Sequence, residues 1–479
     1  MASARGFAIA SGRSLAALIA GAAAAVAVTA ASVVPWPSYS AVPPKLSVQP
    51  SDSRQLRACP GAFLDLGATA AASQVSSVGV ARVTSGTGDG GSVTTGSLKS
   101  PDTSAAGSTG GDSTAASPQK LEVAPGSVAP GMLAGAQSQT IATETLAGLA
   151  STTCAEPLAD SWLVGGTTGV GRTSLVILTN PSNAPATVDL TVTDEHGAVA
   201  SNVGKRVNVP ANSQRVLSLA GIAPDLLEPV VHVQSRGAKV AAFLMQSAIN
   251  GLVPAGADLV PAIAAGFTSL TIPGFVVPQA LAAPVGDEDN SDATAAVRVF
   301  APQGVDAAGT IRLVPEGGGT PIDLKFTLPA GNVTDVPLGA IAAGNYAVFI
   351  TANTPVVAAA RTVQLTNTAM TDFAWAVASP AVHGALAVAI PDAPSPVLWF
   401  ANPDAAPIKV AVNVGGAITE VTVPAQGAAQ LAVSANSVLT IQDGGGAHMA
   451  VSMGGTSGTA VIPVVPPGPS EAAVTVYPR

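Results

Sequence analysis

The stretch Gly166-Thr167-Thr168-Gly169-Val170-Gly171-Arg172-Thr173 has the glycine spacing of a phosphate-binding loop, with Arg172 where a Lys should stand. Such a loop works by presenting backbone N–H groups and a helix N-terminus to phosphates after a strand. Here the following residues, Ser174–Thr179, form an apolar, strand-like run broken at Asn180-Pro181, so a glycine-rich turn is expected and no nucleotide. Gly86-Thr87-Gly88-Asp89-Gly90-Gly91 is a formal dinucleotide fingerprint with Asp112 near the ribose-binding distance, but no helix-forming sequence follows it. No cofactor is expected at either place.

The run Asp287-Glu288-Asp289-Asn290-Ser291-Asp292 offers hard oxygen ligands, and Asp287, Asp289 and Asp292 are the residues that could take calcium. The twelve-residue loop pattern and its distal bidentate Glu are missing, and a solvated acidic loop is the plainer reading. His196, His232, His383 and His448 are scattered singly, without a GxSxG elbow or neighbouring Cys, so no catalytic residue is assigned. Trp162, Trp375 and Trp399 fall at similar places in a repeated pattern; packing is the first reading for them and stacking against sugar rings the second. Cys59 and Cys154 are the only cysteines, and in an exported chain they would form one disulfide closing a long loop. Two buried thiols are the other option.

The elements that must position these residues are read from composition. Of 479 residues, 48% are apolar and 10% charged, with 50 Gly and 39 Pro. That mixture disfavours long helices and favours short strands with many turns. A net charge of −9 without a Lys/Arg cluster excludes a phosphate-neutralising surface, so nucleic acid is not an expected partner.

From residue 160 onward three passages share one order of features: an Asp, a Pro or Gly break, a strand ending in Asn-Pro or Ala-Pro, alternating strands and a Pro-Ala turn. Val188, Leu190 and Val192 interleave with Thr and Asp; Ile322, Leu324, Phe326 and Leu328 interleave with Asp323, Lys325 and Thr327, and Ile408, Val410, Val412 and Val414 with Lys409, Ala411 and Asn413. Period-two alternation predicts half-buried antiparallel strands. The fold expected is all-β, with tandem immunoglobulin-like β-sandwich modules at 160–257, 258–371 and 372–479, opening at Asp160, Asp258 and Asp372. Residues 59–159 read as a disulfide-closed β region, packed on the first module or itself a fourth, degraded one. Residues 84–118 hold one Val and one Leu and read as a disordered insertion.

Residues 1–35 contain an apolar helix over 14–34 after Arg5 and Arg13, a signal peptide or an uncleaved membrane anchor, and residues 36–58 are a Pro/Ser-rich stalk. Either way the remainder lies outside the cytoplasm, anchored to the cell membrane or secreted after cleavage. The order Cys59-Pro60-Gly61, Cys154, Asp160-Ser161-Trp162-Leu163-Val164-Gly165-Gly166, Gly171-Arg172 and Asn180-Pro181 resembles an actinobacterial family of exported, membrane-anchored proteins filed as a domain of unknown function. The resemblance implies an envelope location and β modules, and carries no activity or catalytic residue. The function expected is a non-enzymatic cell-envelope protein presenting β repeats for adhesion, scaffolding or surface assembly to an envelope partner. A protein binding cell-wall glycan is the alternative, and an exported hydrolase the third.

Overall fold

A computed structural model describes residues 15–26, 29, 46–48, 54–66, 75–100, 103–104, 117–281, 293–367, 369–456, 458–468 and 474–476. The chain divides into residues 1–50 with 471–479, and residues 51–470. In the first unit, residues 15–26 are helical and Leu46–Val48 pairs antiparallel with Val474–Val476. Among the described residues no helix is long and apolar enough to cross a membrane. Much of the expected 14–34 span and of the 36–58 stalk lies outside them, whereas the end of that stalk, Gln55–Cys59, is a strand.

The second unit is built from strands, and the period-two pattern is the reason. In Ala186–Asp194, Val188, Leu190 and Val192 are buried, while Thr187 before them is exposed and Asp189 and Thr191 between them are half-buried. In Ile408–Val414 the same alternation buries Val410 and Val412 and leaves Lys409 exposed. Each strand thus has one face for a core and one for solvent or a neighbour.

From residue 160 onward the strands assemble into three modules with one topology. In the module of residues 160–261, one sheet runs Asp160–Val164, Val230–Gly237, Ala186–Asp194, and the other runs Ser213–Ser218, Arg172–Asn180, Ala241–Asn250, Val253–Pro261. Side chains from both sheets, among them Leu163, Val176, Val188, Val231 and Leu244, meet in one core. The next module repeats this order from Phe267–Val277 to Ala369–Val377, with the 23-residue strand Gly344–Thr366 serving one sheet with its first half and the other with its second. The last repeats it from Leu386–Ile390 to Gly458–Pro463. In none of the three does the first strand pair with the second: Asp160–Val164 pairs with Val230–Gly237, Phe267–Val277 with Gly344–Thr366 and Leu386–Ile390 with Ser437–Asp443, unlike the ABED/CFG pairing of immunoglobulin domains. The sandwich is present; its strand order is its own.

Residues 55–153 form three three-stranded sheets among the described residues: Gln55–Cys59, Gln119–Val123, Thr94–Ser97; Arg82–Thr87, Leu133–Ala142, Ala147–Thr153; and Phe63–Leu66, Val75–Val78, Thr103–Ser104, the first two following the strand order of the later modules in reduced form, as a fourth module. Arg82–Thr87 and Thr94–Ser97 correct the expectation of disorder from residue 84. Their own side chains bury little, but they pair with Leu133–Ser138 and Gln119–Glu122, whose Leu121, Leu133 and Ala136 supply the apolar face. Residues 105–116 of the expected insertion lie outside the described residues. The Cys59–Cys154 disulfide links the end of strand Gln55–Cys59 to the residue that follows Ala147–Thr153.

The expected boundaries at 257/258 and 371/372 are also corrected. Both fall inside strands, Val253–Pro261 and Ala369–Val377, that pair back onto the preceding module. Asp160 opens a module, whereas Asp258 and Asp372 lie in the closing strands. The Asn-Pro punctuation does repeat structurally. The buried Asn180 side chain donates to the carbonyls of Ala184, Val209 and Pro210, and Asn402 donates to those of Ala406 and Pro424, so each amide ties its strand end to two loops.

The closing strands Ala147–Thr153, Val253–Pro261, Ala369–Val377 and Gly458–Pro463 pack against one another in a closed ring, each the innermost strand of its module. This radial arrangement covers edges that would otherwise be open. Glycines at the same place in three of these strands, Gly148, Gly256 and Gly458, allow the approach: a Cβ on Gly148 would lie 2.6 Å from Ala257 N and from Asp372 Oδ1. All three have positive φ (+148°, +130° and +139°), where a side chain adds strain as well as a clash.

Two outcomes follow from this architecture. Replacing Cys59 and Cys154 together by Ser releases a loop with a sequence separation of 95, and the chain-entropy relation gives a loss of about 4–5 kcal/mol in chemical-denaturant unfolding. Gly458→Ala is expected to lower the unfolding midpoint far more than Gly251→Ala, because a Cβ at Gly458 meets Asp372 and Leu149 while one at Gly251 meets nothing within 4 Å, and both glycines have positive φ. Equal midpoints in a thermal melt would refute the ring as the tightest packed part of the fold.

Candidate functional site at the axis

Asp372 stands where the other three inner strands have glycine, and its carboxylate accepts one N–H from each of them: Ala257 at 3.1 Å on Oδ1, with Leu149 at 3.1 Å and Thr459 at 2.9 Å on Oδ2. Its own strand adds the N–H of Phe373. Burial is the larger influence on this acid and pushes it up to about 7, against the lowering by these four N–H groups. Two residues beyond Gly256, the buried Asp258 accepts the N–H groups of Trp375 at 2.7 Å and Leu259 at 2.8 Å, and burial raises it as well.

A second charged group joins the modules at 160–261 and 267–377. The buried Arg298 guanidinium holds Asp335 at 2.7 Å and donates to the carbonyls of Gly166, Leu227 and Pro229. Arg361 reaches the same carboxylate at 3.3 Å. The two guanidinium groups keep Asp335 below the usual carboxylate range despite its burial. Glu228 accepts the Asp335 N–H at 2.8 Å and is raised to about 7, first by burial and then by the Asp335 charge. The sequence signal for this cluster is a cation inside an apolar strand, Val297-Arg298-Val299 and Ala360-Arg361-Thr362, in a chain poor in charge. A buried cation needs a buried anion and carbonyls, which periodicity alone does not locate.

At the C-terminal ends of the four inner strands, the segments 153–156, 261–265, 378–381 and 463–468 surround a cavity of about 440 Å³. Its walls are apolar and hollowed by small side chains such as Ala262, Ala378, Ala387 and Ala389. Three polar features interrupt them. Arg57, 8% exposed, holds Glu156 at 3.3 Å, and Glu156 also accepts the Gly468 N–H at 3.2 Å. His448 Nδ1 meets the Ser379 carbonyl at 2.6 Å. The Ser379 hydroxyl is buried and finds no partner among the described residues. Burial lowers both Arg57 and His448, opposed at Arg57 by the Glu156 charge and at His448 first by the Ser379 carbonyl.

Of the residues singled out in the sequence, Cys59 and Cys154 are joined, whereas no ring contact among the described residues joins Trp162, Trp375 and Trp399. Trp375 and Trp399 are 1% and 2% exposed, which corrects the sugar-stacking reading for both. Trp375 donates to Gln246 and lies beneath Arg298 and Arg361, whose guanidinium carbons are 4.8 and 5.3 Å from the ring centre. Trp399 donates to Ser452. Trp162 is half-buried and stacked on His232 at 3.8 Å, so one face of it is taken. The three occupy the first, closing and second strands of their modules, not matching places. Asp287, Asp289 and Asp292 lie outside the described residues. The phosphate-loop look-alike is a turn: the Thr167 and Thr168 hydroxyls donate to Leu226 and Ala223 carbonyls, and a strand follows from Arg172. Residues 86–91 span the end of strand Arg82–Thr87 and the turn after it.

The raised acids set the direction of pH dependence. A carboxyl raised when folded binds protons that the unfolded chain has already lost, so its contribution is complete below about pH 4 and disappears as pH rises through about 7. For Asp372 and Glu228, both raised to about 7, the denaturation midpoint is expected to fall across that window. Asp372→Asn flattens the slope and lowers stability throughout, since its NH2 would face backbone N–H groups. Denaturant titrations at about pH 5 and about pH 8 on both proteins read the slope directly, and a parallel pair of curves refutes the assignment.

Residues 105–435 match the model of the family of unknown function DUF5719, and the chain belongs to that family. No curated protein matches the chain. A crystal structure of a Thermotoga maritima protein is similar over 24% of this chain and 93% of its own, at 13% identity and a TM-score of 0.20.

Proposed function

We propose that this member of a family of unknown function is a non-enzymatic, extracytoplasmic cell-envelope protein. Its ring of β modules is a rigid scaffold for surface assembly, and it takes hold of its envelope partner at the axial cavity. The observation that carries the reading is the Asp372 carboxylate bound to all four inner strands, which makes four modules one body and brings four loops to a common mouth. A concave, largely apolar site with a few placed polar groups, shared by several modules, is the usual form of a binding site. The N-terminal helix at 15–26 and the Cys59–Cys154 disulfide are compatible with export. The glycan alternative loses two of its three tryptophans to the core and keeps only the half-covered Trp162.

Site-specific photo-crosslinking in intact cells tests this. A crosslinker at Phe267, which lines the cavity and is 58% exposed, is expected to capture an envelope component, whereas one at Val170, 98% exposed and away from the cavity, captures none. Identical adducts from both positions, or none from Phe267, would sink the reading.

A further inference from the structure

We infer that the axial cavity binds a fatty-acyl chain, with the oxygen-bearing head of the amphiphile at Arg57. The inference rests on the cavity being the binding site, and adds the chemical class of what enters it.

The walls decide the class. A peptide carries an N–H and a C=O at every residue, and a sugar a hydroxyl on nearly every carbon; each such group buried without a partner opposes binding. The cavity walls offer few partners. Much of the backbone facing it lies in paired strands, Leu133–Ala142, Phe267–Val277, Leu386–Ile390 and Ala447–Gly455 among them. The side chains between are mostly Ala, Val, Ile, Leu and Pro. An alkyl chain has no polar group to satisfy and gains free energy with each methylene it buries. A volume of about 440 Å³ is that of a small-ligand site rather than a packing defect.

The polar exceptions supply the head contact. Arg57 is buried, and only one of its guanidinium nitrogens has an acceptor among the described residues, at Glu156. Five N–H donors in a planar fork leave several for a carboxylate or ester oxygen. Glu156 is bound to both Arg57 and Gly468, and so holds the guanidinium at the margin of the cavity near the last described residues of this unit. The unpartnered Ser379 hydroxyl is a second donor among the lining residues, brought toward the ligand by rotation about its side-chain bond.

Palmitate titrated into the full-length protein is expected to bind saturably at one site. Ala389→Phe and Ala262→Phe, placed on different walls, each fill the space and weaken binding at least about tenfold; Arg57→Gln weakens palmitate by about tenfold and hexadecanol much less. Thermal melts show whether each variant is folded. Independently of any variant, a photoreactive palmitate on the wild-type chain is expected to label segments 261–270, 378–389 and 448–468. Phosphatidylglycerol vesicles that displace it identify a membrane lipid as the source of the chain, and vesicles that leave it bound identify free fatty acid. Absence of saturable binding, or labelling confined to other segments, overturns the inference. Crosslinking from Phe267 can still succeed in that case, so this inference and the scaffold reading fail separately.

Discussion

One carboxylate joins all four modules. Asp372 sits at a position that the other three inner strands fill with glycine, and it receives an N–H from each of those strands. Without the glycines the strands could not come close enough, and without the acid their converging N–H groups would be buried and unpaired. The ring is therefore a joint requirement on four residues far apart in sequence. Its cost is a carboxyl removed from water, which is why burial acts so strongly on this acid.

Around that centre, polar groups placed singly in an apolar matrix hold modules to each other. Arg298 spans two modules by binding Asp335 on its own side and three carbonyls of the neighbouring module. Removing one partner of such a pair would leave an uncompensated buried charge, which is why these groups define how the modules meet more than how tightly each is folded. Trp375 rests under the same guanidinium groups and gives its backbone N–H to Asp258, so the core aromatic and the acid of the neighbouring closing strand are one assembly. The axial cavity lies where the inner strands end, and small residues leave space there beside the Arg57–Glu156 pair.

Several elements are legible in the residues themselves. The alternation at Val188-Leu190-Val192 and at Val410-Val412 specifies strands and the face each buries, because strand side chains alternate whatever the context. Asn180-Pro181 and Asn402-Pro403 mark equivalent strand ends, since a buried amide after a strand must find carbonyls nearby. With no other cysteine, Cys59 has only Cys154 as an intramolecular partner, and the structure joins them.

Other features were decided only by the tertiary structure. Asp160, Asp258 and Asp372 look alike as punctuation, yet the first lies in an opening strand and the other two are buried at the axis, because their role depends on strands that arrive from other modules. Arg82–Thr87 and Thr94–Ser97 lack an apolar face of their own and are strands because partners provide one. Periodicity is a local property of a strand and can be read from one sequence. Which strand ends converge on one carboxylate, and which loops enclose one cavity, depends on how separate modules close into a ring, and no single segment encodes that closure.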